Sequence, residues 1–194
     1  MRYHCLKLLT ATALAYMGAA WSQGQSRNGR TNFPVVTVCD VLRTPLQYDG
    51  RLLRIRGRLS GTDEGTWLLG EKCSGTLITE GHVWPSAIWL TAPGRQEVLH
   101  PLDFQLDEES GRSFNRSYRR LRRRVPDHCI VSTLTGLFET RSDWSQFKRF
   151  YRDGTRQFTG FGHLGEAPGQ LVIKSEDDVA IDPNCSGAQK AVGH

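Results

Sequence analysis

Beyond residue 20 the chain has no long apolar run, and nowhere does it repeat itself. The first absence excludes a later membrane-spanning helix, which needs roughly 20 consecutive apolar residues. The second excludes repeat arrays. Signatures of catalysis are also lacking: there is no GxSxG elbow, no HExxH helix and no phosphate-cradling GxxxxGK. Serine, histidine and acidic residues occur, but their spacing selects no triad. Cysteine is sparse, with five in 194 residues, and no two form a CxxC pair. A zinc knuckle is therefore disfavoured, since His128 beside Cys129 is a single coincidence. Charge of one sign is not in large excess either. The formal charge of +5 is mild for a strong polyanion binder.

What is present begins at the N-terminus. Arg2 and Lys7 flank an apolar or small run from Leu8 to Ala20, and Ala20-Trp21-Ser22 places small residues at the −3 and −1 positions of a cleavage site. That is the layout of a secretory signal peptide over residues 1–22. An uncleaved anchor is disfavoured, because about thirteen apolar residues fall short of a bilayer span. Cleavage removes two basic residues and no acidic one, so the charge falls to +3. Residues 23–34 read as a polar, disordered tail, 35–182 as one domain with a real core, and 183–194 as a C-terminal tail. The expected location is periplasmic or secreted.

Four cysteines remain after cleavage: Cys39, Cys73, Cys129 and Cys185. An even number in an exported chain favours two disulfides, with three pairings possible. Cys39–Cys73 and Cys129–Cys185 are preferred, because each pair joins neighbours in the expected order of elements. Closing the 39–73 loop would stabilise by about 3–4 kcal/mol on the chain-entropy model.

Local patterns give that order. Residues 38–47 read as a short helix or turn interrupted at Pro45. Asp49-Gly50 marks a turn, and "RLLRIRGRLS" (51–60) alternates Leu53, Ile55, Gly57 and Leu59 with Arg54, Arg56 and Arg58, which predicts a half-buried strand. Residues 66–70 pair with it as a hairpin, and 76–79 and 87–91 are further strands. Phe114, Tyr118, Leu121 and Val125 share one helical face. Acids at 107–109 and arginines at 119–124 suit the helix dipole, and Pro126 stops the helix. Residues 129–139 and 170–174 predict two more strands, the last extending towards Ile181. Strand, strand, strand, helix, strand, strand is the connectivity of an OB-like five-stranded Greek-key barrel with its helix between strands three and four.

The stretch "VCDVLRTPLQYDGRLLRIRGRLSG", with Cys73, "IWL" at 88–90 and "GFGHLGEAPGQLVIKSEDDV", resembles a group of exported bacterial proteins with an OB-fold-like domain. They share a cysteine-led helix, a YxGxxVxVxG strand and GHxG before the last strand. The resemblance covers roughly residues 36–91 and 130–180. It implies a barrel and carries over no active-site residue; the arginine-rich helix is particular to this chain.

Three constellations are candidates for chemistry. The row Arg54, Arg56, Arg58 lacks interleaved aromatics, so a solvated outer face is favoured over a strand-binding groove. Seven arginines (112, 116, 119, 120, 122, 123, 124) crowd the helix. They either pair with acids such as Asp107, Glu108 and Glu109, or grip phosphate, anionic headgroups or acidic polysaccharide through bidentate contacts. In the 141–169 connection, Trp144, Phe147, Lys148, Arg149, Tyr151 and Arg152 interleave aromatics with cations. They form either the buried face of a short helix or a stacking platform, in the loop where OB-like barrels hold ligands. His163 in a glycine-rich turn reads as a turn former. Asp177 and Asp178, placed after the last strand, are expected to point to opposite sides.

The resulting expectation is an exported binding module and not an enzyme. Its ligand residues are Trp144, Phe147, Lys148, Arg149, Tyr151 and Arg152 with Arg116, Arg119, Arg120 and Arg123. The partner is an anionic polysaccharide, a nucleic acid or a protein, and no cofactor or metal is expected. A structural envelope protein and a hydrolase with an unrecognised nucleophile are the alternatives.

Overall fold

The computed structural model describes residues 33–71, 73–75, 77–79, 81–94, 98–126, 128–143, 148–150, 156–158, 160–162 and 165–186. The segment 1–22 expected to be a signal peptide and residues 23–32 of the expected tail lie outside them. The domain opens with β1 (Val35–Thr37), a strand the sequence reading missed, and α1 (Val38–Arg43). Thr37 and Asp40 form a reciprocal capping box that starts α1: each side chain accepts the other's backbone N–H at 3.1 Å. Thr44 ends it, and Pro45 begins the one-turn α2 (Pro45–Tyr48), at a position where a missing N–H costs nothing.

The barrel follows. β2 (Arg51–Thr62) runs antiparallel to β3 (Gly65–Leu69), and β3 to β6 (Ala87–Thr91). Between β3 and β6 lies a small hairpin of β4 (Ile78–Thr79) and β5 (His82–Val83). The single long helix, α3 (Glu108–Arg124), links β6 to β7 (His128–Thr140). β8 (Lys148–Phe150) and β9 (Arg156–Phe158) pair as a further hairpin, so residues 148–150 are strand, not part of a short helix. β10 (Gly169–Ser186) then inserts between β6, to which it is parallel, and β7, to which it is antiparallel. A β2–β7 pairing closes the ring. The circuit β2-β3-β6-β10-β7 is thus a closed five-stranded mixed barrel with the helix between its third and fourth strands, the OB-like arrangement expected.

Along one edge β2 changes partner, from β1 over Arg54–Arg56 to β3 from Arg58 onward. Gly57 stands at the change. A Cβ there would come within 2.7 Å of Val38 Cγ2, so only glycine lets α1 seat Val38, Val41 and Leu42 in the core beside Ile55, Leu68, Leu134, Phe138 and Leu171. Gly136 allows an equally close approach, by the Val172 carbonyl, next to a bulge in β10.

Both preferred disulfides are present. Cys39–Cys73 ties α1 to the loop after β3, and Cys129–Cys185 ties the start of β7 to the end of β10, with Cα separations of 5.2 and 5.6 Å. β10 therefore continues past residue 182, where a tail was expected, because its register with β7 persists to Ser186↔His128. Among the described residues no helix is long and apolar enough to cross a membrane.

Candidate functional site

α3 is anchored at its first turn. The Asp107 carboxylate accepts from the backbone N–H groups of Glu109 and Ser110 at 3.0 and 3.1 Å, capping the helix. Asp107 N donates to the Lys174 carbonyl at 2.7 Å, and Glu176 N donates to Ser110 Oγ at 3.1 Å, which stitches the turn to β10. Gly111 sits inside the helix beside Glu176, where a Cβ would meet only Glu176 Oε2, at 3.9 Å. That oxygen is buried with no hydrogen-bond partner among the described residues, and burial raises the Glu176 carboxyl above its ordinary range. Phe114 then enters the core, and Tyr118 stacks on it with ring centroids 6.4 Å apart.

With that face turned inward, the seven arginines divide into two kinds. Arg112 pairs with Glu108 one turn back, at 3.3 Å. Arg122 folds along the helix: it lies over the Tyr118 ring, donates to the Tyr118 hydroxyl, and reaches the Pro126 and His128 carbonyls beyond the helix end. Among the described residues, Arg116, Arg119, Arg120, Arg123 and Arg124 have no such partner. They stand at i, i+3, i+4, i+7 and i+8, which is one helical face, and line an open depression on the order of 450 Å3. Among the described residues none of the five has a carboxylate partner, so there the reading in which acids neutralise this cluster holds for Arg112 alone. Arg124 joins the four arginines selected from sequence.

The arginines of β2, by contrast, are paired with acids. Arg54, Arg56 and Arg58 point outward from β2, opposite the buried Ile55, but they are not simply hydrated. Arg54 Nε donates to Asp177 at 3.0 Å, and Arg56 reaches Asp178 at 3.4 Å. Both bridge over β7, whose Thr135 hydroxyl donates to Asp177 and whose Thr133 hydroxyl accepts from Arg56. Arg58 pairs with Glu71 at 3.5 Å. Asp177 and Asp178 do not point apart as expected. They lie within β10, not after it, and a bulge between Glu176 and Asp178 inserts one residue. That insertion breaks the period of two and brings both carboxylates to the arginine side.

The outer side of β3 and β6, where a barrel of this kind would offer a stacking surface, is covered. Trp67 and Trp89 meet edge to face at 4.9 Å, and Trp84, Phe161 and Ala167 close over them as a second apolar cluster. Gly65 and Gly162 admit the Trp89 ring where any Cβ would overlap it. Of the loop residues selected as ligand contacts, Lys148 and Arg149 lie on β8. Trp144, Phe147, Tyr151 and Arg152, with His163, lie outside the described residues. No family model matches this chain, and neither a curated protein nor a solved structure matches it.

Proposed function

We propose that this protein is an exported anion-binding module, and that α3 is its contact surface. The observation that carries this reading is the stripe of five arginines without carboxylate partners. The helix holds seven arginines against two glutamates, an excess of five that equals the +5 of the whole 194-residue chain, so the molecule's surplus charge is concentrated on one helix. Guanidinium forks suit the paired oxygens of phosphate, sulfate or carboxylate. Successive arginines along a row (116, 120, 124) are one four-residue step apart, about 6 Å at 1.5 Å rise per residue, so a chain of repeated anions can meet several at once. Two disulfides and an N-terminal signal-like segment are compatible with an oxidising location outside the cytoplasm.

Retention on a heparin-type or polyphosphate column tests the reading. The full chain should bind at low salt and lose affinity steeply as salt rises, with a log–log slope near −0.7 to −0.9 per anion neutralised. Arg116→Gln/Arg120→Gln/Arg124→Gln should flatten that slope by about 2–3, whereas Arg51→Gln on β2 should not. No retention at low salt would leave the structural role and reject this one.

A further inference from the structure

A second cluster lies apart from α3, at the end of the barrel where β2, β7 and β10 meet the segment after β3. Cys129 Sγ, Cys185 Sγ and a carboxylate oxygen of Glu71 lie within 4.8 Å of one another, the one such trio of cysteine, histidine or acid ligands among the described residues. Glu71 is held in place from behind, since Cys39 Sγ of the other disulfide contacts the Glu71 carbonyl at 3.7 Å. Arg58 closes the group: Nε is 3.5 Å from Glu71, and Nη1 is 3.7 and 3.9 Å from the two sulfurs.

We propose that this cluster is a redox-gated site for a thiophilic divalent cation such as Zn2+. While the Cys129–Cys185 bond is intact, neither sulfur carries the charge a metal needs, and the site is shut. A dithiol opens it by exchange: its thiolate attacks one sulfur and expels the other, and its second thiolate then resolves the mixed disulfide, releasing the first. The S–S bond receives two electrons and two protons and becomes two thiols, while the dithiol leaves as a cyclic disulfide. A guanidinium beside the sulfurs stabilises thiolate charge. The cation then takes both thiolates and the Glu71 carboxylate, and two protons leave. Thiolate and carboxylate bond lengths of about 2.3 and 2.0–2.2 Å around a tetrahedral ion set ligand atoms some 3.5–3.8 Å apart. Glu71, within 4.8 Å of both sulfurs, therefore needs to approach by at most about 1 Å. The two sulfurs, about 2 Å apart when bonded, must separate by roughly 2 Å once reduced. The charges balance as well, because two thiolates and one carboxylate meet a dication and the Arg58 guanidinium. Glu71 is exposed, which leaves the fourth position to solvent.

The test uses the full mature chain, reduced with a phosphine, desalted without oxygen and titrated with Zn2+ against a chromogenic chelator. Co2+ provides a second readout through thiolate-to-metal charge transfer. The oxidised chain should take up no metal and the reduced chain one equivalent. Cys129→Ser/Cys185→Ser should abolish uptake, and Glu71→Gln should weaken it at least about tenfold. No uptake after reduction, or uptake that survives the double serine variant, overturns the proposal. So does uptake indifferent to Glu71→Gln, the result expected if reduction merely unfolded the chain and exposed scattered thiols.

Discussion

Glu176 shows how one side chain can work against the fold that holds it. Its carboxylate oxygen is buried beneath the first turn of α3 without a partner, so the protonated form is favoured in the native state. The unfolded chain ionises near the ordinary value of 4.5, the folded chain only at higher pH. Between those values the native state binds the extra proton, and stability falls as pH rises. Glu176→Gln removes the titration. Urea melts across pH 4 to 8 should therefore show the variant gaining on the wild type as pH increases, with the gap levelling off above the native pKa. A gap independent of pH would show that the carboxyl is not the cause. Asp40 works the other way. Hydrogen bonds from the Thr37 side chain and backbone lower its pKa, so the capping box contributes at neutral pH and is lost on acidification. Neither effect was legible from sequence, where Asp40 stands between Cys39 and Val41 and Glu176 between Ser175 and Asp177, with nothing to mark a partner or its lack.

Elements were more readable than residues, for reasons that differ from one to the next. β2 announced itself because one face is core and the other charged. α3 did so because Phe114 and Tyr118 fall on one side and Asp107 offers a cap. β7 and β10 were found, but not their full lengths, since β7 is buried on both faces for much of its run and shows little alternation. The bulges in β10 were invisible, because no residue there marks the inserted position, and with them went the orientation of Asp177 and Asp178. At the candidate site, composition revealed an arginine cluster. Telling five free arginines from two engaged ones required knowing that Arg112 faces Glu108 and that Arg122 turns to the helix end. The cap itself can be tested: Asp107→Ala should destabilise the protein by about 1 kcal/mol in denaturant titration. It should also loosen the arginine face enough to lower the salt at which the chain elutes from heparin. An unchanged midpoint would mean that the contacts to Lys174 and Glu176, not the cap, hold the first turn.

At the scale of the whole molecule, the barrel closes through partners far apart in the chain. β2 pairs with β7, and β6 with β10. The core spans α1, all five barrel strands and Phe114 of α3, so helix and barrel are stabilised together. The strand that separates β6 from β7 is also the last to be made. Residues beyond 169 must be delivered before the facing edges of those two strands find anything to bond. β3 and β2 already pair with their other edges, and until then each presents one bare hydrogen-bonding edge. A polypeptide ending at Pro168 should accordingly be recovered as aggregate or protease-sensitive material, and a synthetic 169–186 segment supplied in trans should rescue its solubility. If the chain is exported unfolded, as proposed above, this ordering has a use: nothing in the first 168 residues can lock into the finished barrel too early to pass.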